Sequence, residues 1–310
     1  MDREELQRRK AAVVERYGPW TAHNIQLRDD IYTMVNGIEG GNELRLRRIV
    51  QLISDLSPQP LERLRVVDLG CLEGLFAVEL ARRGADVVGI EAREPNIEKA
   101  RFAKAALALD NLELVQGDVR GFSRERYGGF DVVLALGILY HLDAPDVFGF
   151  LERVAEVCDG LCVLDTHVTA STAERFSHDG RSYRGRSYAE PDTSDPLAQD
   201  TLWAALDNPR SVILTRHSLF NALGHAGFTT AFECKLPPVL EHPDWGTFVA
   251  VKGRPEPLAS APLLNDEPWA DLPETHPPRD RHSPLHRRLA ARLPQPVRGA
   301  LRTALRGRRR

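Results

Sequence analysis

The chain of 310 residues carries a net charge of −3, and its length allows one large domain with additions, or two small ones, without disulfide support. Its four cysteines have neither C-x-x-C nor zinc-site spacing, and no apolar run approaches the ~18 residues of a membrane span. Because residues 2–5 are all charged, unlike the start of a signal peptide, we expect a cytoplasmic protein with buried free thiols.

The first predicted element is a charged helix over residues 2–16. Gly18 and Pro19 break it, and the segment that follows carries Trp20 and His23. This aromatic and histidine cluster is either a lid over a site or the hydrophobic foot that packs the helix on the domain. The residues alone favour packing.

A second amphipathic helix is predicted over residues 42–56, and Ser57 and Pro58 end it. We assign residues 1–60 to an N-terminal helical or lid segment and residues 61–253 to the main domain.

Residues 64–91 have the pattern of strand, glycine turn, helix and second strand, which is one βαβ unit. Gly70 and Gly74 let the backbone turn sharply, so that a ligand can approach main-chain N–H groups. Asp68 lies on the first strand and Glu91 ends the second. Ligands of open α/β sheets bind outside the carboxyl ends of the strands, and we expect Glu91 to accept ribose hydroxyls there.

The turn departs from the dinucleotide fingerprint G-x-G-x-x-G, because Leu72 stands where a middle glycine would be. A pyrophosphate cradle is therefore not favoured, and an acid on the first strand suits a cationic amino-acid group better than a phosphate. The pattern Asp68-x-Gly70-x-x-x-Gly74 resembles the first motif of the class I S-adenosylmethionine (SAM)-dependent methyltransferases. For this motif alone, a plain α/β domain or a dehydrogenase is the alternative.

A third strand is predicted within residues 111–119, and it ends in Asp118. By itself Asp118 could be an ordinary helix N-cap. The resemblance implies that it hydrogen-bonds the adenine amino group and that Val119 lies against the ring. The spacing of the acids at positions 68, 91 and 118 favours the cofactor interpretation.

The fourth strand starts at Phe130, ends near Gly137 and places Tyr140 and His141 at the carboxyl edge, where a methyl acceptor must stand. A histidine there can act as a general base, because its unperturbed pKa lies near neutrality. A purely structural histidine is the alternative.

The fifth strand, residues 160–167, brings Asp165 and His167 to the same edge. They are candidates for substrate contact or, with water, for a divalent ion such as magnesium, which some sugar O-methyltransferases use. Two ligands are too few to predict a metal site, so the metal requirement stays open.

The segments 139–141 (Leu-Tyr-His) and 20–24 (Trp-x-x-His-Asn) together resemble a narrower group. It contains tRNA wobble-uridine carboxymethyltransferases and many small-molecule and sugar methyltransferases. The resemblance covers about residues 15–253, and its motifs specify fold and cofactor more than the acceptor.

The resemblance implies SAM as the cofactor. The expected cofactor-binding residues are Asp68, Gly70, Cys71, Gly74, Glu91, Ala92, Asp118, Val119 and Gly137. His141 is expected to deprotonate the acceptor, with Tyr140 positioning it. The expected substrate contacts are Trp20, His23, His167 and Arg210.

Residues 168–210 are polar, with a hairpin predicted around residues 183–191 and a helix over residues 197–206. Forty residues are too many for a simple connection, so this insertion before the sixth strand is expected to roof the acceptor pocket. Arg210 falls near an arginine that holds a carboxylated cofactor in the tRNA-modifying relatives, and a surface arginine is the alternative. The choice between SAM and carboxy-SAM therefore stays open.

Thr215 is predicted to cap a helix that runs to Ala226 and ends at Gly227. Strands within residues 228–234 and 246–252 then complete the sheet. The predicted fold is α/β: a Rossmann-like, seven-stranded class I methyltransferase sheet with an N-terminal helical lid and an insertion before the sixth strand.

Residues 254–284 are rich in proline and acids and are predicted to be a linker. Residues 281–310 contain ten arginines and no acid, so the other 280 residues carry a net charge of −13. Apolar residues recur among these arginines from residue 285 onward, as in an amphipathic tail. Such a tail suits a membrane surface, a nucleic acid or an acidic protein surface, or is simply solvated.

The favoured function is SAM-dependent O-methylation of a carbohydrate or natural-product hydroxyl. A tRNA wobble-uridine modifier is the alternative, but the acidic body lacks the distributed Lys and Arg that tRNA binding requires. A non-catalytic SAM-binding scaffold is a third hypothesis. The acceptor and the oligomeric state stay open.

Overall fold

The computed structural model describes residues 1–34, 42–192, 194–195, 197, 199–235, 243–268 and 270–274, with the side chains of 42–43 and 199–200 left aside. The predicted tail over residues 285–310 lies outside the described residues. Within the described residues no helix is both long and apolar enough to cross a membrane. All four cysteines are buried free thiols, as predicted.

The N-terminal segment has two helices separated by a small hairpin. Its elements are α1 (Arg3–Tyr17), β1 (Gln26–Arg28), β2 (Ile31–Tyr32) and α2 (Asn42–Leu56). The side chain of Asp2 accepts a hydrogen bond from the N–H of Glu5 and so fixes the start of α1. Both predicted helices are confirmed to within a residue.

The main domain alternates strands and helices. Its first part consists of β3 (Arg65–Leu69), α3 (Leu75–Arg82), β4 (Asp86–Glu91), α4 (Glu94–Leu107), β5 (Leu112–Gln116), α5 (Arg124–Tyr127), β6 (Phe130–Leu136), α6 (Asp146–Val157) and β7 (Cys158–His167). Its second part consists of β8 (Glu174–His178), β9 (Arg181–Ala189), α7 (Gln199–Trp203), β10 (Arg210–Leu214), α8 (Arg216–Ala226), β11 (Thr230–Cys234) and β12 (Trp245–Val251).

The main sheet has seven strands in the order β11-β12-β7-β6-β3-β4-β5. The pairs from β7 to β5 are parallel, and β12 runs antiparallel to both of its neighbours. This confirms the predicted fold class. The topology brings the carboxyl ends of β3, β4 and β6 to one edge of the sheet.

Both faces of this sheet are buried, which explains why its strands are almost continuously apolar. Val66 faces a core shared with α2 and α3, and its neighbour Val67 faces a second core shared with α6 and α8. Neither side chain is exposed.

The insertion forms a separate three-stranded antiparallel sheet in the order β10-β9-β8. The hairpin is larger than predicted and turns at Asp179 and Gly180, both of which have a left-handed backbone. The helix expected over residues 197–206 is limited to Gln199–Trp203.

Several helix boundaries follow from capping chemistry. The side chain of Thr215 accepts from the N–H of Ser218 at 3.1 Å, and Gly227 ends α8 with φ +105°, as predicted. The helix of the predicted βαβ unit begins at Leu75, because Gly74 adopts a left-handed conformation in front of it.

Candidate active site

Two adjoining cavities lie at the carboxyl edge of the sheet. The large cavity, of about 420 Å³, is bounded by the ends of β3, β4 and β6 and by the N-terminal segment. The small cavity, of about 380 Å³, lies between the ends of β6 and β7 and the insertion. Four residues line both cavities: Tyr140, His141, Trp203 and Ala204.

Asp68 ends β3 in the wall of the large cavity and is 2% exposed. Burial raises its pKa to about 7; a hydrogen bond from the N–H of Ala77 opposes this and the charge on Glu91 adds to it. Its Oδ2 has no hydrogen-bond partner among the described residues. A buried acceptor of this kind calls for a ligand donor or cation.

Glu91 ends β4, and both of its carboxylate oxygens accept backbone hydrogen bonds. The N–H of Arg93 donates to Oε1 at 2.9 Å and the N–H of Leu72 donates to Oε2 at 3.0 Å. Burial raises the pKa of Glu91, although these bonds oppose the shift. The two backbone bonds fix the orientation of the carboxylate, and each oxygen keeps a further lone pair that can accept a hydrogen bond beside the large cavity.

Asp118 follows β5 and combines two roles. It caps a short 3₁₀ turn by accepting from the N–H of Arg120 at 2.8 Å, which is the alternative that the sequence left open. The Arg120 side chain also binds its Oδ2. Burial alone would raise the pKa of Asp118, but the Arg120 hydrogen bonds outweigh it and lower the pKa.

The N-terminal segment is a fixed wall of the large cavity. The carboxylate of Glu73 accepts from the N–H groups of Thr21, Ala22 and His23 at 2.8, 3.1 and 2.9 Å. The N-terminal segment therefore packs on the main domain, which is the interpretation that the residues alone favoured over a lid. Sequence reasoning did not identify Glu73, and its only signal was an acid inside an otherwise apolar turn.

His23 lines the large cavity beside the start of α3. Its Nδ1 accepts a hydrogen bond from the N–H of Leu75 at 3.1 Å, so the ring hydrogen is on Nε2. Burial lowers the pKa of His23 to about 4; the charge on Glu73 opposes this shift and the charge on Arg45 adds to it. The neutral ring therefore keeps a hydrogen-bond donor, its Nε2–H group, beside the large cavity.

Trp20 and Arg210 are not brought into the site. Trp20 is 4% exposed, packs against Phe102 with ring centroids 5.7 Å apart and lines neither cavity. Arg210 is 60% exposed and lies 3.8 Å from Asp143 outside both cavities, in agreement with the surface alternative.

The insertion covers the large cavity as well as the small one. Arg93 donates to the carbonyl oxygen of Ala205 at 2.7 Å, and the side chain of Asn96 donates to that of Leu202 at 3.2 Å. The indole N–H of Trp203 donates to the hydroxyl of Thr21 at 3.1 Å. These bonds attach the covering segment to both the start of α4 and the N-terminal wall.

An aromatic cluster lies where the two cavities meet. The ring centroid of Tyr140 lies 4.6 Å from that of His167 and 5.5 Å from that of Trp245. Burial raises the pKa of Tyr140 to about 12, so this phenol stays protonated and can donate a hydrogen bond. Sequence reasoning missed Trp245, which is far away in the chain.

Asp165 lies beneath this cluster and is engaged by protein groups. It accepts from the indole N–H of Trp245 and from the hydroxyl of Thr247, and Arg45 lies 3.1 Å from its Oδ2. Among the described residues no group of three His, Cys, Asp or Glu side chains could hold a metal ion.

Residues 66–159 match a family model described as a methyltransferase domain. The N-terminal domain of EvdMO1, crystallised in the presence of SAH and D-fucose, superposes with a TM-score of 0.62 at 26% identity, over 81% of this chain and 97% of that one. A second crystal structure of that domain, with SAH bound, gives 0.61 at 27% identity over the same shares. The chain carries a class I SAM-dependent methyltransferase domain.

The curated relatives agree with this assignment over a shorter stretch. The ubiquinone biosynthesis O-methyltransferase of Acinetobacter baylyi is 31% identical over 134 residues, 43% of this chain and 52% of that protein. The one from Sinorhizobium fredii is 38% identical over 96 residues, 30% of this chain and 36% of that protein. The chain thus spans about half the length, or less, of these relatives.

The methyltransferase domain gathers most of the predicted cofactor residues around the large cavity. Those that line it are Asp68, Gly70, Cys71, Glu91, Ala92, Asp118, Val119 and Gly137. Gly74 does not line it, and a Cβ added there would meet Ala100 at 2.9 Å. Glycine at that position therefore serves the close approach of α3 to α4.

Proposed function

We propose that this chain transfers a methyl group from SAM to a hydroxyl group of a carbohydrate or small natural product, with His141 as the general base. The observation that carries the proposal is that His141 lies at the boundary of the two cavities. A base at that position can reach a hydroxyl in one cavity that faces a methyl group in the other.

The residues of the large cavity fit SAM. The unpaired Oδ2 of Asp68 suits the cationic methionine end, and the carboxylate of Glu91 suits the ribose hydroxyls. Asp118 and Val119 stand where the adenine is expected. SAM supplies a methyl group that is bonded to a positively charged sulfur. When the methyl group is transferred, the C–S bond breaks and SAH leaves as a neutral thioether.

The small cavity suits a hydroxylated ring. Tyr140, His167 and Trp203 offer aromatic surface and a few polar atoms, as is usual in pockets for small ligands. The protonated phenol of Tyr140 can donate to an acceptor oxygen while His141 removes the proton from another or the same hydroxyl. The D-fucose present with the EvdMO1 domain supports a sugar as the acceptor class.

The alternative of a tRNA modifier with a carboxylated cofactor has no structural support in the described residues. Arg210, its only predicted contact, lies outside both cavities and beside Asp143. SAM itself is therefore the proposed methyl donor.

The test is transfer of a radiolabelled methyl group from SAM into separated glycan, small-metabolite, lipid and RNA fractions of a bacterial extract, with and without magnesium. We expect label in the glycan or metabolite fraction, and base treatment should not release it, because an ether is stable where an ester is not. Label confined to RNA would overturn the proposal, as would SAM binding without transfer to any fraction.

A further inference from the structure

A carboxylate from the insertion lies against the imidazole of His141. Nδ1 of His141 is 3.2 Å from Oε1 and 3.4 Å from Oε2 of Glu190. An ionised carboxylate only accepts hydrogen bonds, so Nδ1 carries the hydrogen of the neutral ring. The lone pair of the imidazole is then on Nε2.

Glu190 is held in place by three groups besides His141. The hydroxyl of Ser211 and the N–H of Ala205 donate to its carboxylate, the latter at 3.0 Å. The hydroxyl of Tyr188 lies 2.7 Å from Oε1. The side chain of Glu190 is 1% exposed, which is unusual for a glutamate at the end of a surface hairpin.

The charge state of this carboxylate is settled by its donors. Burial alone would raise the pKa of Glu190, but the hydrogen bonds from His141, Ser211 and Tyr188 outweigh burial and lower the pKa to about 2. Glu190 is therefore ionised throughout the neutral range. The same donors also fix the orientation of the Glu190 carboxylate toward His141.

The backbone of His141 is attached to the insertion as well. Asn208 donates from its side-chain amide to the carbonyl oxygen of His141 at 3.3 Å, and Val212 donates from its backbone N–H to that of Leu142 at 2.9 Å. The insertion thus contacts the turn of His141 in two ways: through the main chain of residues 141–142 and through the imidazole ring.

We propose that Glu190 is a positioning residue that holds His141 in its Nδ1–H tautomer, with Nε2 available to the acceptor, and stabilises the imidazolium formed in the reaction. The inference rests on the proposed role of His141 as the base. The O–H bond of the acceptor breaks, a new N–H bond forms at Nε2, and the electron pair of the O–H bond stays on the oxygen as it attacks. The imidazolium returns its proton to water after the product leaves.

The insertion therefore does more than cover the acceptor. It supplies the second member of a His–Glu pair whose two residues are 49 positions apart in the chain. A carboxylate that orients a histidine base in this way acts through the tautomer and the charge of the ring.

The first test needs no acceptor. In the full chain labelled with ¹⁵N-histidine and saturated with SAH, long-range ¹H–¹⁵N spectra report which ring nitrogen of His141 carries the hydrogen, and the signal is assigned by its loss in His141→Ala. We expect the Nδ1–H tautomer in the wild type and a loss of this preference in Glu190→Gln. An Nε2–H tautomer in the wild type would overturn the proposal, and this result does not depend on the folding of Glu190→Gln.

The matched control is Glu174→Gln. Glu174 belongs to the same hairpin and accepts from the N–H of Ser187 at 2.7 Å and from its hydroxyl at 2.8 Å, but it lines neither cavity. It should leave the tautomer of His141 as it is in the wild type. A change of tautomer in both variants would contradict a specific role for Glu190.

The second test is kinetic, with the extract fraction that takes up the labelled methyl group as acceptor. Glu190→Gln should lower kcat on the order of 10²-fold while KM for the fraction and Kd for SAH change less than about two-fold. Unchanged kcat, or a loss confined to KM, would overturn the positioning role. If the wild type methylates nothing, the proposed function fails, whereas the spectra still decide whether Glu190 positions the ring.

Discussion

The side chains of Glu73 and Lys99 form an ion pair of 3.3 Å in which neither is exposed to solvent. Lys99 also donates to the carbonyl oxygen of Pro19 at 2.7 Å. Glu73 accepts from the N–H groups of residues 21–23, which follow Pro19 in the N-terminal wall. The pair thus connects the N-terminal wall, the glycine turn and α4. It therefore holds the wall of the large cavity in place, although neither side chain lines that cavity.

Lys99→Met should destabilise the protein by about 3 kcal/mol, because it leaves the carboxylate of Glu73 buried without its cation. Denaturant unfolding measures the change. Lys104→Met, in the same helix but partly exposed, should change the free energy of unfolding by less than about 0.5 kcal/mol. Equal effects of the two substitutions would show that the ion pair does not stabilise the wall.

His23 should make the stability of the ligand-free protein depend on pH. Its pKa is about 4 in the folded chain and about 6.5 when unfolded, so the unfolded state binds more protons between these values. The contribution is fully present above about pH 6.5 and is lost as the pH falls toward 4, by roughly 3 kcal/mol.

The measurement is the difference between wild type and His23→Asn in free energy of unfolding across pH 4 to 8. Asparagine keeps an acceptor for the N–H of Leu75 but does not titrate, so the difference isolates the histidine from Asp68, whose raised pKa acts in the opposite direction. A difference that stays constant with pH would contradict the neutral, buried His23.

SAM binding should release protons near neutral pH. Because the pKa of Asp68 is raised to about 7, the ligand-free protein holds a proton there that a cationic ligand displaces. The affinity for SAM should rise about ten-fold from pH 6 to pH 8. Calorimetry in buffers of different ionisation enthalpy measures the proton release directly, and Asp68→Asn should release none. An equally flat pH dependence in both proteins would exclude Asp68 as the titrating group.

Leu72 has φ +50° at the position of the missing middle glycine. A left-handed leucine is strained, so Leu72→Gly should gain up to about 1 kcal/mol of stability and change the affinity for SAH, since Leu72 lines the large cavity. Ala108→Gly is the matched control, because Ala108 has φ +54° and lines neither cavity. It should gain similar stability with unchanged affinity. Lower stability of Leu72→Gly would mean that the leucine side chain contributes more than its backbone strain.

The sequence predicts the sheet well because each parallel strand is buried on both faces and ends in a recognisable acid or turn. The placement of Asp68, Glu91 and Asp118 at one edge follows from that topology, since the strands end there. The expected role of Asp118 came from the family resemblance. Thr215 and Gly227 were predictable from local capping chemistry. These features depend on residues close together in the chain.

The pairings that complete the site depend on residues far apart. Nothing near Glu190 indicates that it meets His141, and nothing near Lys99 indicates Glu73. The two tryptophans show the same difficulty. Trp20 was expected to contact the substrate, but it is buried against Phe102. Trp245 was not expected at the site, but it lines the large cavity. Tertiary contacts decide such cases, and a single sequence does not report them.

The most direct test of the proposed base is the comparison of wild type with His141→Ala in two measurements, binding of SAH and transfer of the labelled methyl group from SAM to the acceptor fraction. His178→Ala is the control, since His178, at the end of β8, pairs with Glu152 of α6 and lines neither cavity. We predict that His141→Ala binds SAH with wild-type affinity and loses transfer on the order of 10²-fold or more. Transfer at the wild-type rate in His141→Ala would contradict a histidine base at the boundary of the two cavities.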